Sequence, residues 1–211
     1  MERHHRPVRL PIEAFDAVVG GGDPADASRV AHDTARALLH RVRGSDDPEV
    51  VARTVRYTAA NGIHDIAELW SRAAARTLPG SLWRLYLIHA AVTRDPRGAS
   101  EVYRRGAAAD RSSATIVAGA VEPTGPAEVR GLAERILRGA FTGDLADALD
   151  RAAAFCAVMS LGWTELADAA DEVSAVDPDR PAEATTRAAR YLEYAKDLTA
   201  AARLQRDDRL E

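Results

Sequence analysis

Arg84 and His89 are the residues most open to a chemical role. They are the only strongly polar members of residues 82–92, a segment that is apolar nearly all round. A helix with that pattern belongs near the centre of a fold. At about 100° per residue the two side chains stand about 140° apart on the wheel. A buried arginine needs a carboxylate, and a buried histidine needs a hydrogen-bond partner. With Tyr86 they could line a ligand pocket in a helical core. The plainer alternative is an arginine whose stem lies along the core and whose guanidinium reaches its edge, beside a core histidine with its nitrogens satisfied.

The remaining reactive groups point away from catalysis. His32 and His40 share a helix face with Arg29, Asp33, Arg36 and Arg43. Zinc would ask for histidines three or four residues apart and for further ligands, so this face is expected to be solvated. His4 and His5 lie in a basic arm with Glu2 as the only near carboxylate, and His64 falls at a helix start. Glu165, Asp168, Asp171 and Glu172 share another face. Carboxylate metal sites in bundles pair Glu with a His three residues on, and the only such pair is Glu2–His5, in the arm. Cys156 falls on an inward stripe and reads as a small buried apolar residue. As the only cysteine it excludes an internal disulfide framework and a multi-cysteine metal site. There is no Gly-x-Ser-x-Gly elbow and no Gly-x-Gly-x-x-Gly, and Gly20-Gly21-Gly22 lacks a following Gly-Lys-Ser/Thr. We expect no catalytic residue, no metal and no cofactor.

Helices must position whatever function exists. The 211 residues are 46% hydrophobic and 28% charged, an ordinary globular composition that suits one domain. Alanine, the best helix former, occurs 44 times. Of the 28 basic residues 27 are arginine, Lys196 being the one lysine. That bias matches the codons of a high-GC bacterial genome, so the arginine surplus says little about phosphate binding. The net charge of -4 argues against a general nucleic-acid coat protein.

Residues 1–24 read as an arm with a short helix, followed by a helical domain over 25–211. Asp23-Pro24 offers a helix start, with Val30, Thr34, Leu38 and Val42 as its stripe. Asp47-Pro48 opens a second helix that stops at Asn61-Gly62, and Asp65 a third that turns Leu69, Trp70 and Ala73 inward. Ser81 is expected to cap a fourth after Pro79-Gly80, and Asp95-Pro96 to begin a fifth. A sixth carries Val129, Leu132, Ala133, Ile136 and Leu137. The seventh runs from Leu145 to a break at Gly162, and an eighth continues from Trp163-Thr164. The last helix spans about 182–206. Its Ala184, Ala188, Tyr191, Ala195, Leu198 and Ala202 repeat at four and three, so it packs along a neighbour. No tetratricopeptide pattern repeats.

The least regular stretch, about 109–126, is longer than common connections and is the best functional-loop candidate. Glu122 is the one charge in its second half and so its candidate contact residue. A helix-turn-helix around Asn61-Gly62-Ile63 would put Glu68 and Ser71 at inward positions and Trp70 near the exposed surface, so sequence-specific DNA binding is not expected. No apolar run reaches the length of about 20 residues that a spanning helix needs. The N-terminal residues lack a secretory pattern, so the expected compartment is the cytoplasm.

Glu68-Leu69-Trp70, Leu78-Pro79-Gly80-Ser81-Leu82-Trp83-Arg84-Leu85-Tyr86-Leu87 and Val117-Ala118-Gly119-Ala120-Val121-Glu122-Pro123-Thr124-Gly125-Pro126 together resemble an uncharacterised helical family of high-GC Gram-positive bacteria. Some of its members carry the label RNA polymerase beta subunit. The resemblance implies an all-helical fold and invites a test for polymerase association. It assigns no residue a role, and the chain lacks the acidic metal motif of a polymerase.

These readings converge on an all-α fold of about eight helices in one domain, as an orthogonal array or bundle. Its core would hold Leu38, Leu69, Trp70, Trp83, Tyr86, Leu87, Ile136, Leu149, Phe155 and Leu198. The leading functional expectation is a non-catalytic cytoplasmic interaction module that binds a protein partner or a second copy of itself through helix faces or the 109–126 loop. The alternative is a small-molecule-binding protein with a pocket near Arg84, Tyr86 and His89.

Overall fold

In a computed structural model, which describes residues 24–43, 70–109, 125–171 and 179–211, every regular element among the described residues is a helix. Six are present: α1 (Pro24–Arg43), α2 (Leu78–Arg94), α3 (Pro96–Ala109), α4 (Pro126–Thr142), α5 (Leu145–Asp171) and α6 (Asp179–Arg206). The all-α expectation holds. The arm over residues 1–23, the second helix, Leu69 and most of the 109–126 loop, Glu122 included, lie outside the described residues.

Local chemistry sets the helix boundaries. Thr77 caps α2, its hydroxyl accepting from the Gly80 amide at 3.3 Å. Pro79 then stands in the first turn, where its missing N–H costs nothing. The expected cap at Ser81 is therefore corrected to Thr77, and residues 72–77 form turns where the third helix was expected to continue. The Leu78 amide is closed from outside the helix, donating to the Glu211 carbonyl at 2.7 Å. Asp95 ends α2 and begins α3, its carboxylate accepting from the Gly98 amide at 2.9 Å. Asp144 starts α5 in the same way, accepting from the Ala146 amide at 2.7 Å.

One apolar cluster joins all six helices, from Ala31 and Ala35 of α1 to Leu198 and Ala202 of α6. Trp70, Ile136, Leu149, Phe155 and Leu198 are buried as expected, while Leu38 and Trp83 only pack against the cluster's edge. On α1 the inward stripe is Ala31, Ala35 and Leu39, and Val30 is 46% exposed. The expected stripe is thus rotated by one residue. Small alanines let α1 come close to α2 and α4, and that outweighs turning the larger valine inward.

The long helices α5 and α6 form an antiparallel pair, the most extensive packing in the fold. Ser160 Oγ donates to the Ala188 carbonyl across it at 2.8 Å, in a buried setting. Ala184, Ala188, Ala195, Leu198 and Ala202 are buried in this seam. The predicted stripe of the last helix is buried, save for Tyr191, which is only half-buried.

The expected break at Gly162 does not occur, since α5 runs unbroken through it. Here α3 crosses α5 backbone on backbone. A methyl at Gly106 would stand 1.9 Å from the Val158 carbonyl oxygen, and one at Gly162 would stand 1.9 Å from that of Val102. Glycine costs a helix interior about 1 kcal/mol relative to alanine. The close crossing, with Tyr103 stacked on Phe155 at 5.6 Å, outweighs that cost.

Candidate functional site

On another side of α5 the same helices stand apart. A cleft of about 660 Å³ opens between α2, α3, α5 and α6. Of these, α2, α5 and α6 supply residues three or four apart. From α2 come Leu87, Ile88, Ala91 and Arg94, and from α5 come Met159 and Trp163. From α6 come Arg187, Arg190, Tyr191 and Tyr194, and the α2–α3 corner closes one end with Asp95, Gly98 and Ala99.

The lining is apolar and aromatic inside and cationic at the rim. Tyr191 and Tyr194 meet edge to face at 6.4 Å, and the Arg187 guanidinium lies 4.7 Å above the Trp163 ring. Burial pushes the Tyr191 phenol well above its ordinary range, with Cys156 and Tyr194 adding to the rise and Arg187 opposing it. Burial raises Tyr194 as well. Both phenols stay protonated at neutral pH and can donate hydrogen bonds. Trp163 Nε1 is buried and has no hydrogen-bond acceptor among the described residues.

The cationic rim is not neutralised from within. Arg94 and Arg190 make no ion pair among the described residues, and Arg187 pairs only along its own helix, with Glu183 at 3.5 Å. The single lining carboxylate, Asp95, is engaged in capping α3. The described lining holds no histidine, cysteine, serine, lysine or glutamate. Its equipment suits binding more than proton transfer or nucleophilic attack.

Arg84 stands one layer behind this surface. Its guanidinium donates to Asp197 at 3.2 Å and to the Gly80 carbonyl at 3.1 Å, and lies 5.4 Å over the Tyr194 ring. Asp197 also takes Arg76 at 3.3 Å. Arg84 therefore holds a cleft residue in place without lining the cleft. Tyr86 is half-buried against Trp83, with ring centres 5.5 Å apart, and is also outside the lining. His89 faces α4. Burial holds its pKa below the ordinary value, Glu134 works against that shift and Arg130 reinforces it. The structure does not bring Arg84 and His89 together: one is engaged with α6, the other with α4. The common pocket expected for them is corrected to the cleft alongside, because their wheel positions send them to different neighbours.

Cys156 is wholly buried, and its thiol is pushed far up by that burial, so it stays protonated and inert. No group of three or more potential metal ligands occurs among the described residues. No described helix is long and apolar enough to cross a membrane.

Sequence reasoning missed Trp163, Tyr191, Tyr194, Arg94 and Arg190. A signal existed in the run Arg187–Arg190–Tyr191–Tyr194, which places two arginines and two tyrosines on one helical stripe. It was hidden by the neighbouring alanine seam, which dominates the apolar periodicity of α6. Comparison with protein-family models, with curated proteins and with solved structures finds no match to this chain.

Proposed function

We propose that this is a non-catalytic, small-molecule-binding helical protein, with the α2–α3–α5–α6 cleft as its binding site. The observation that carries the reading is convergence. Four helices border one concavity, into which α5 and α6 bring aromatic and α2 and α6 cationic side chains, and its volume lies within the range of roughly 300–1,000 Å³ usual for ligand sites. The arginine-rich composition and the free, buried thiol of Cys156 fit a cytoplasmic protein of a high-GC bacterium. A partner-binding role through the α6 stripe is not proposed, because α5 already covers that stripe.

The test is a thermal-shift screen of small organic molecules on the wild type and on Ala91→Trp. Ala91 is exposed on the cleft wall, so an indole there fills the space without entering the core. Compounds that raise the Tm of the wild type and not of Ala91→Trp support the reading. A screen with no stabilising compound, or with shifts equal in both proteins, overturns it.

A further inference from the structure

We infer that the cleft takes an organic acid, a molecule with a flat or aliphatic apolar body and one carboxylate, sulfonate or phosphate group. This rests on the cleft being a ligand site and adds the ligand's class. Three separate features support it.

The first is charge. Three arginines border the cleft against one carboxylate, and that carboxylate already accepts the Gly98 amide at 2.9 Å. Arg94 comes from the last turn of α2 and Arg190 from the middle of α6. They approach the concavity from two helices, and neither has an acidic partner among the described residues. A ligand's acid group would meet guanidinium donors that no described protein carboxylate competes for. Charge-assisted hydrogen bonds of this kind are about twice as strong as neutral ones.

The second is the interior. Met159, Ile88 and Leu87 give it an adaptable apolar surface, and Trp163, Tyr191 and Tyr194 give it ring faces and edges. Such walls accept an aromatic or aliphatic body and gain by removing it from water. A small inorganic anion would use the arginines and leave this surface wet.

The third is an unused donor. Trp163 Nε1 is out of water with no acceptor among the described residues, on a side chain that borders the cleft. Tyr191 and Tyr194, half-buried in the same lining, stay protonated and can also donate. The cleft thus offers several donors and few acceptors. A ligand rich in acceptor oxygens complements it, and a cationic or donor-rich ligand does not.

The test uses two fluorescent probes of nearly the same shape, anilinonaphthalene sulfonate and the uncharged phenylnaphthylamine. They are titrated into the wild type, the Arg94→Gln/Arg190→Gln double variant and Ala91→Trp. Both arginines are exposed, so their replacement leaves the core untouched. The wild type is expected to bind the sulfonate roughly five- to tenfold more tightly than the neutral probe, the double variant to hold the two within about twofold, and added salt to weaken only the sulfonate. Equal affinities for the two probes, with both lost in Ala91→Trp, leave the site standing and overturn the acid assignment. A sulfonate preference that survives in the double variant also overturns it. Binding of neither probe, or binding unchanged in Ala91→Trp, overturns the ligand site itself.

Discussion

Two faces of α5 at the same level behave in opposite ways. On one, Val158 and Gly162 meet α3 so closely that there is no room for a methyl group. On the other, Met159 and Trp163, each one residue further along, border a cleft of about 660 Å³. The chain is able to pack helices backbone to backbone here, and it does so where glycines and alanines permit. On α5 and α6 the cleft is walled by large side chains. Tyr194 is pinned by Arg84, which is itself held by Asp197, and Arg187 covers Trp163. Small residues close one face and propped aromatics keep the other open.

Filling the closed face should have the largest effect. Gly162→Ala or Gly106→Ala gains helix propensity, yet it forces α3 from α5. We expect a loss of about 1–3 kcal/mol in denaturant unfolding. A gain of about 1 kcal/mol, as propensity alone gives, would break the contrast between the faces. Next comes the prop of the open face. Asp197→Ala strips Arg84 of its carboxylate in a setting where the two side chains are only 15% and 19% exposed. We expect a loss of about 1–2 kcal/mol in the same measurement, less than for a fully buried pair, and weaker probe binding as Tyr194 loosens.

A smaller effect belongs to His89, on the α4 side. Its pKa is held below the ordinary 6.5 mainly by burial. Below that pH the unfolded chain takes up the proton more readily than the folded one. The neutral imidazole's contribution is then lost as pH falls from about 6.5 through the folded value. His89→Gln should give a shallower fall of Tm between about pH 7 and pH 5, measured by scanning calorimetry. An unchanged slope would remove His89 from the account. Smallest in stability is Ala91→Trp, expected within about 0.5 kcal/mol of the wild type because the site is exposed, while its ligand binding is lost.

Much of the fold was legible where one face carries the pattern. The stripe of α4, Val129 through Leu137, and the seam of α6 both follow from apolar spacing, and Asp95-Pro96 marks its helix start without ambiguity. The glycine at 162 was not legible as a contact, because the same residue type ends helices and lets them touch. Only the partner helix decides between the two roles. Alanine was equally silent on α1, where the buried face carries less apolar bulk than the exposed valine suggests. The site was half legible. Arg84 stood out as a charge in an apolar helix, and it proved to support the cleft through Tyr194. The lining itself depends on which four helices become neighbours, and periodicity along one helix does not contain that.

The most direct test uses the indole N–H signals. The chain has three tryptophans, and Trp70 donates to Thr34 at 3.2 Å on the α1 side of the core, away from the cleft. Nitrogen–proton correlation spectra would be recorded during a titration with anilinonaphthalene sulfonate, with Trp163→Phe identifying the Trp163 signal. The account predicts that the Trp163 indole resonance moves progressively to saturation while that of Trp70 stays in place. A Trp163 resonance unmoved at saturating probe would contradict it.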